Sequence, residues 1–124
     1  MSPLAWVGFV VAAAVAAPLR YLVDGFVGDR VEGAFPWGTF VVNASGSLVF
    51  GVLAGLALYH AFPKTSTVIL GTGFCGSYTT FSNFSFETVR LVEEGARGEA
   101  LRNAAGTLVV CAGAAALGLA LAAL

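Results

Sequence analysis

The chain has 124 residues, 58% of them hydrophobic and 10% charged, and a formal net charge of −1. Its mean hydropathy is +0.88. Soluble domains carry roughly 25% charged residues, so this composition excludes an ordinary soluble globule, offers no basic surface for nucleic acid, and indicates an integral membrane protein. A spanning helix takes about 20 apolar residues, so the length accommodates roughly four spans with short loops.

The N-terminal stretch lacks the basic region of a signal peptide, and its apolar run is long enough to span, so it reads as a retained first helix over residues 3–23. Pro18 near its end is expected to kink it or loosen a turn. Residues 24–32 read as a polar loop. The second span is predicted over residues 36–62, with Pro36 suited to a first helical turn and Trp37, Tyr59 and His60 to the two interfaces. After a short turn at Pro63, the third span runs over residues 67–92. A charged loop precedes a fourth span over residues 103–124. The expected fold is an all-α membrane protein forming a single transmembrane domain of four helices, the third broken at its centre.

The third span is the unusual one. Gly71-Thr72-Gly73-Phe74-Cys75-Gly76-Ser77-Tyr78-Thr79-Thr80-Phe81-Ser82-Asn83-Phe84-Ser85-Phe86-Glu87 places Gly, Ser and Thr among aromatics inside a membrane-length stretch. Lipid cannot hydrogen-bond a backbone, so irregular backbone at that depth survives only inside protein or along a cavity. The pattern therefore points to a permeation path or an ion site.

Gly46, Gly51, Gly106, Gly113 and Gly118 are read as positions where helices approach closely. Cys75 and Cys111 are read as small packing residues, and with His60 they make neither a metal cluster nor a disulfide framework. No internal repeat is visible, so any repeat symmetry must come from a second subunit. Four crossings put Lys64 alone on the side of the termini, against Arg20, Arg30, Arg90, Arg97 and Arg102 on the other. The bias toward positive residues inside then favours both termini outside.

Catalysis is poorly supported: no Ser–His–Asp set and no paired carboxylates fall within the spans. The polar groups at depth are neutral donors and acceptors, which suits passage of a small ion. Asn43 reads either as an interhelical hydrogen bond or as a pore-lining donor. Arg20 reads as a snorkelling anchor or as a positive vestibule for anions. Gly76 to Thr80 could unwind, aiming carbonyls at a cation and the next helix N-terminus at an anion. Phe81 and Phe84, three apart, share a helical face; their electropositive ring edges suit an anion without fixed charge. Ser82 and Ser85 either bond back to the helix or face the path.

These residues resemble the signature of the Fluc (CrcB-type) fluoride channels. The resemblance covers the run from Gly73 to Glu87, Pro36-Trp37-Gly38-Thr39-Phe40-Val41-Val42-Asn43-Ala44-Ser45-Gly46-Ser47, Pro18-Leu19-Arg20-Tyr21-Leu22, and the overall length. It implies a fluoride-selective channel for passive export of toxic cytoplasmic fluoride from a prokaryotic inner membrane. It also implies an antiparallel dimer with two pores. By the resemblance, Phe81 and Phe84 face fluoride and Asn43 is the pore asparagine. Gly76 and Thr79 supply backbone carbonyls to a structural sodium ion on the dimer axis. Arg20 lies near the vestibule, and Ser82 and Thr39 lie close to the path. In the fourth span Asn103 and Thr107 are the nearest counterparts of the family's hydroxyl-bearing track, so Thr107 is taken as a pore residue. Ser77 stands where the family commonly has Gly.

The second subunit is expected to be another copy of this chain. The charge bias leaves room for a heterodimer with a paired homologue. Two competing classes are a small four-helix, dual-topology cation or drug antiporter and a non-conducting membrane assembly subunit. The antiporter needs a carboxylate in the first span, and residues 4–23 hold none. The assembly subunit leaves the polar break unexplained.

Overall fold

The structure, a computed structural model, describes residues 1–124. It is helical throughout, with no strand, and forms four legs. The first is α1, Pro3–Gly28, and the second is α2, Trp37–Tyr59. The third consists of α3, residues 64–78, and α4, Phe81–Glu93, separated by two residues. The fourth is α5, Arg97–Ala122. Only α1, α2 and α5 are individually long and apolar enough to cross a membrane.

Helices do not stop where charge first appears. α1 begins with Ser2 accepting from the Ala5 amide (3.1 Å) and Pro3 in the first turn, a standard start. It runs on through Pro18 and through Asp24 to Gly28, residues expected in a loop. The reason is tertiary: Asp24 packs so closely on Gly38, in the first turn of α2, that a Cβ there would strike its carboxylate. A carboxylate beside a helix N-terminus is also favoured by the helix dipole. Residues 97–102, expected in a charged loop, instead open α5. Arg102 and Glu99 pair there at 2.7 Å across one turn, a spacing that supports a helix.

The legs pack through small residues. A Cβ on Gly51 would meet the Ala115 backbone, and one on Gly118 would meet the Leu48 carbonyl, so α2 and α5 lie nearly backbone to backbone. Gly46 instead makes room for the side chains of Tyr78 and Thr79. Gly106 and Gly113, expected to serve likewise, face open space. His60 at the end of α2 donates from Nε2 to the Ala122 carbonyl at the end of α5 (2.6 Å). Ala16, Val42 and Tyr78 form the buried centre, flanked by Val23 and Phe74, where α1, α2 and α3 converge just before the interruption in the third leg.

Only 21 of 124 residues are buried, while Leu4, Val10, Tyr21, Leu108 and many other large apolar side chains are exposed. An exterior of this kind is matched to lipid, and with three membrane-length apolar helices it identifies a multi-pass membrane protein.

Ala61, just past α2, has φ 52°, while the Phe62 amide reaches back to the Leu56 carbonyl (3.2 Å). This is a C-terminal cap that favours glycine. Ala61→Gly removes the left-handed penalty on a Cβ at a smaller entropic cost. The expected gain is about 0.5–1 kcal/mol, read as a rise of roughly 2–5 °C in thermal unfolding in detergent. A fall in the midpoint would contradict the cap.

Candidate functional site

The site is built where the third leg leaves the helix. Thr79 (φ −76°, ψ 160°) and Thr80 (φ −146°, ψ 119°) are extended. Two consecutive non-helical residues leave backbone groups without intrahelical partners, which is costly where they are buried. Asn43 on α2 meets that need. Its Nδ2 donates to the Thr80 carbonyl (3.0 Å) and its Oδ1 accepts from the Thr80 amide (2.8 Å). The carboxamide thus mimics a neighbouring strand, and both residues are buried.

The remaining groups at the interruption are settled in turn. The Thr79 amide and its hydroxyl both donate to the Cys75 carbonyl, each at 2.9 Å. Arg20 Nη1 donates to the Thr79 carbonyl (3.3 Å). The Thr80 hydroxyl accepts from the Asn83 amide (3.2 Å) and so caps α4. Because the Thr80 amide is held by Asn43, it does not close the helical turn on the Gly76 carbonyl. Upstream, α3 is π-helical over Val68–Cys75, a wider winding that recurs at functional positions.

An open cavity of about 470 Å³ lies beside the interruption. Of the residues singled out from sequence, Asn43, Thr79, Phe81, Phe84 and Thr107 line it. The Phe81 and Phe84 ring centroids are 5.8 Å apart with planes at 46°, and Phe81 is 79% exposed. No Lys, Arg, Asp or Glu lines the cavity, so its polarity comes from hydroxyl and amide groups alone. Gly76 belongs to a neighbouring cavity of about 370 Å³ shared with Thr79 and Thr72.

Three predicted residues lie off this cavity. Arg20 is at the Thr79 carbonyl. Ser82 is exposed and pairs with the Thr80 hydroxyl (3.3 Å). Thr39 is buried and donates to Glu87 Oε1 (2.5 Å), tying α2 to α4.

Sequence reasoning missed a relay behind the cavity wall. Thr107 donates to Asn103 Oδ1 (3.3 Å), Asn103 Nδ2 donates to the Thr88 hydroxyl (2.8 Å), and Thr88 donates to the Phe84 carbonyl (2.8 Å). Asn103 is 1% exposed. The relay fixes α5 to the turn that carries Phe84. The spacing of Asn103 and Thr107 by four residues signalled the α5 half of it; nothing local marks Thr88 as its partner.

The family model described as CrcB-like protein, Camphor Resistance (CrcB) matches residues 7–119. The chain belongs to the CrcB family. A relative from Frankia casuarinae, named fluoride-specific ion channel FluC 1, is 48% identical over 122 residues, covering 94% of this chain and 95% of its own. The protein of the same name from Streptomyces avermitilis is 44% identical over 110 residues, covering 89% of each chain. In Mycobacterium tuberculosis, fluoride-specific ion channel FluC 2 is 42% identical over 113 residues, covering 91% of this chain and 86% of its own. The names of these relatives describe an ion channel and not an enzyme.

Asn43→Ala strips both partners from the buried Thr80 backbone. Each orphaned group costs about 1–3 kcal/mol, so a loss of about 2–3 kcal/mol is expected, seen as a fall of at least several degrees in the unfolding midpoint in detergent. Asn43→Asp also loses the donor to the Thr80 carbonyl and should be no better tolerated. A midpoint unchanged in both would show that the clasp does not hold the interruption.

Proposed function

We propose that this chain forms a fluoride-selective channel giving passive exit of fluoride across a prokaryotic inner membrane. The observation that carries this reading is the uncharged cavity in which Phe81 and Phe84 stand beside the Asn43–Thr80 clasp. Fluoride is small and strongly hydrated. It leaves water only for hydrogen-bond donors and positive edges that replace its shell, and a fixed positive charge in the path would hold it too tightly to pass. The names of the relatives support the same ion. The biological sense is direct: HF crosses membranes neutral, ionises in a less acidic cytoplasm and traps fluoride there, so a selective leak relieves the load.

The working unit in this proposal is an antiparallel dimer with two pores. One chain leaves the cavity open and Phe81 mostly exposed, so a second surface has to close the path, and a two-fold partner supplies the same surface again. The third leg would then act as a broken membrane span, with α3 and α4 as half-helices.

A structural sodium ion on the two-fold axis is part of the same proposal, and the residues fit it. Neutral backbone oxygens suit a hard cation. The Gly76 carbonyl is left without its turn-closing amide, and Gly76 is exposed without a side chain to shield it. The Thr79 carbonyl gives one lone pair to Arg20 and keeps the other. Two copies would bring four such oxygens. A bound cation there would add positive potential near the anion path.

Fluoride efflux from proteoliposomes, followed with a fluoride electrode, tests the channel. The wild-type chain should empty vesicles that retain chloride. Phe81→Ile, which removes the ring edge, should slow efflux by about tenfold or more, equivalent to ~1.4 kcal/mol of barrier. Vesicles no leakier than protein-free controls, or equally leaky to chloride, would end the proposal. Replacing sodium by a larger organic cation on both sides should depress the flux, and an unchanged flux would remove the sodium site while leaving the channel standing.

A further inference from the structure

The side-chain O–H and N–H donors that line the cavity can be taken one by one, and one hydroxyl is left over. The Thr79 hydroxyl hydrogen goes to the Cys75 carbonyl, and that of Thr107 goes to Asn103 Oδ1. The Thr80 hydroxyl caps α4 and pairs with Ser82. Asn43 commits one Nδ2 hydrogen to the Thr80 carbonyl and keeps one. Ser47, half-buried on α2, lines the cavity and makes no hydrogen bond to the protein.

Thr72 and Ser77 on the third leg also make no hydrogen bond, but of these three hydroxyls Ser47 alone lines the cavity beside Phe81 and Phe84. A helical Ser or Thr in an apolar setting ordinarily bonds back to a carbonyl of its own helix. Thr67, Ser85 and Thr88 each do so here, to the carbonyl four residues earlier. Ser45, two residues before Ser47, donates to the Val42 carbonyl and meets the Tyr78 hydroxyl at 3.0 Å. Ser47 takes neither course. It also lies one helical turn after Asn43, so the two free donors share a face of α2, with Cβ atoms about 5–6 Å apart. Ser47 and Thr79 are the only residues that line both this cavity and the neighbouring one at Gly76.

We propose that Ser47 is a fluoride-contacting residue: its hydroxyl, with the free Asn43 N–H one turn away, donates to the ion as it passes the Phe81–Phe84 pair. This rests on the channel reading above. The hydroxyl rotates freely because no protein acceptor holds it, so it can follow the ion over part of its travel and then release it.

The test compares fluoride efflux from proteoliposomes for the wild type, Ser47→Ala, Ser47→Thr and Ser45→Ala. Hydrogen bonds to charged groups are worth enough to change a rate by about tenfold or more. Ser47→Ala should therefore slow efflux about tenfold. Ser47→Thr, which keeps the hydroxyl, should stay within about threefold of the wild type by the same scale. Ser45→Ala, whose hydroxyl serves packing against Tyr78, should conduct as the wild type does. Elution volume and unfolding midpoint in detergent should be unchanged in Ser47→Ala, which separates loss of a donor from loss of fold. If Ser47→Ala cannot be purified folded, Ser47→Cys keeps the size, weakens the donor, and should show the same slowing. A conducting wild type with an equally fast Ser47→Ala, or equally fast Ser47→Cys, overturns the assignment of Ser47 alone. A silent wild type overturns the channel reading, and the assignment of Ser47 falls with it.

Discussion

The rest of the site depends on one interaction, the two-point clasp of the Asn43 carboxamide on the Thr80 backbone. A buried break in a helix is costly unless the freed amide and carbonyl find partners. A carboxamide is the smallest uncharged side chain that offers one donor and one acceptor at the spacing a peptide presents. A carboxylate has no donor, and an ammonium no acceptor. Once Thr80 is held extended, its hydroxyl is free to cap α4, and that cap fixes where Phe81 and Phe84 emerge. The same diversion of the Thr80 amide releases the Gly76 carbonyl. The clasp therefore links the candidate cation ligand on one side of the interruption to the aromatic pair on the other.

A second set of neutral bonds sets the far wall. Thr107, Asn103 and Thr88 run in series to the Phe84 carbonyl, so the backbone turn that carries Phe84 is tied to α5 and not held by its own helix alone. The π-helical stretch Arg102–Gly106 contains Asn103 and precedes Thr107. A wider winding there rotates the polar side chains relative to the apolar face that continues to Ala122. Alanine and glycine then let α5 lie close against α2 from Ala115 to Ala122, which anchors the wall to the helix that carries Asn43.

Much of this was legible in the amino-acid order because it concerns local chemistry. A Gly- and Thr-rich break between apolar runs had to be irregular and sheltered, and the spacing of Phe81 and Phe84 placed them on one face. Helix ends were read less well. Asp24 and residues 97–102 look like loop sequence in isolation; contact with Gly38 and the Arg102–Glu99 pair hold them helical. Gly76 was read as part of the unwound stretch, yet it is helical (φ −63°, ψ −33°), and the extended residues are Thr79 and Thr80. Glycine signals permission to bend, whereas the actual bend follows the partner, and that partner lies 37 residues away in sequence. Thr39, Arg20 and Ser82 carried no local sign of their distance from the cavity, since Glu87, the Thr79 carbonyl and Thr80 claim them only in the folded chain.

The arrangement also separates fixed charge from the cavity. The guanidinium of Arg20 is turned to the Thr79 carbonyl, and the carboxylate of Glu87 accepts from Thr39. Arg20 touches the interruption and Glu87 lies further along α4, yet neither lines the space beside Phe81 and Phe84. In the proposed channel this matters because binding and passage make opposite demands. A full charge in a low-dielectric cleft attracts an anion by many times the thermal energy and would hold it there. Ring edges, a spare amide hydrogen and an unpaired hydroxyl are each far weaker, and an ion can exchange one for the next. The long-range field can still come from the Arg20 guanidinium and any cation at Gly76 and Thr79, which raise the potential of the region without touching the ion. Attraction and release are thus assigned to different groups, and the clasp at Thr80 keeps the two sets a fixed distance apart.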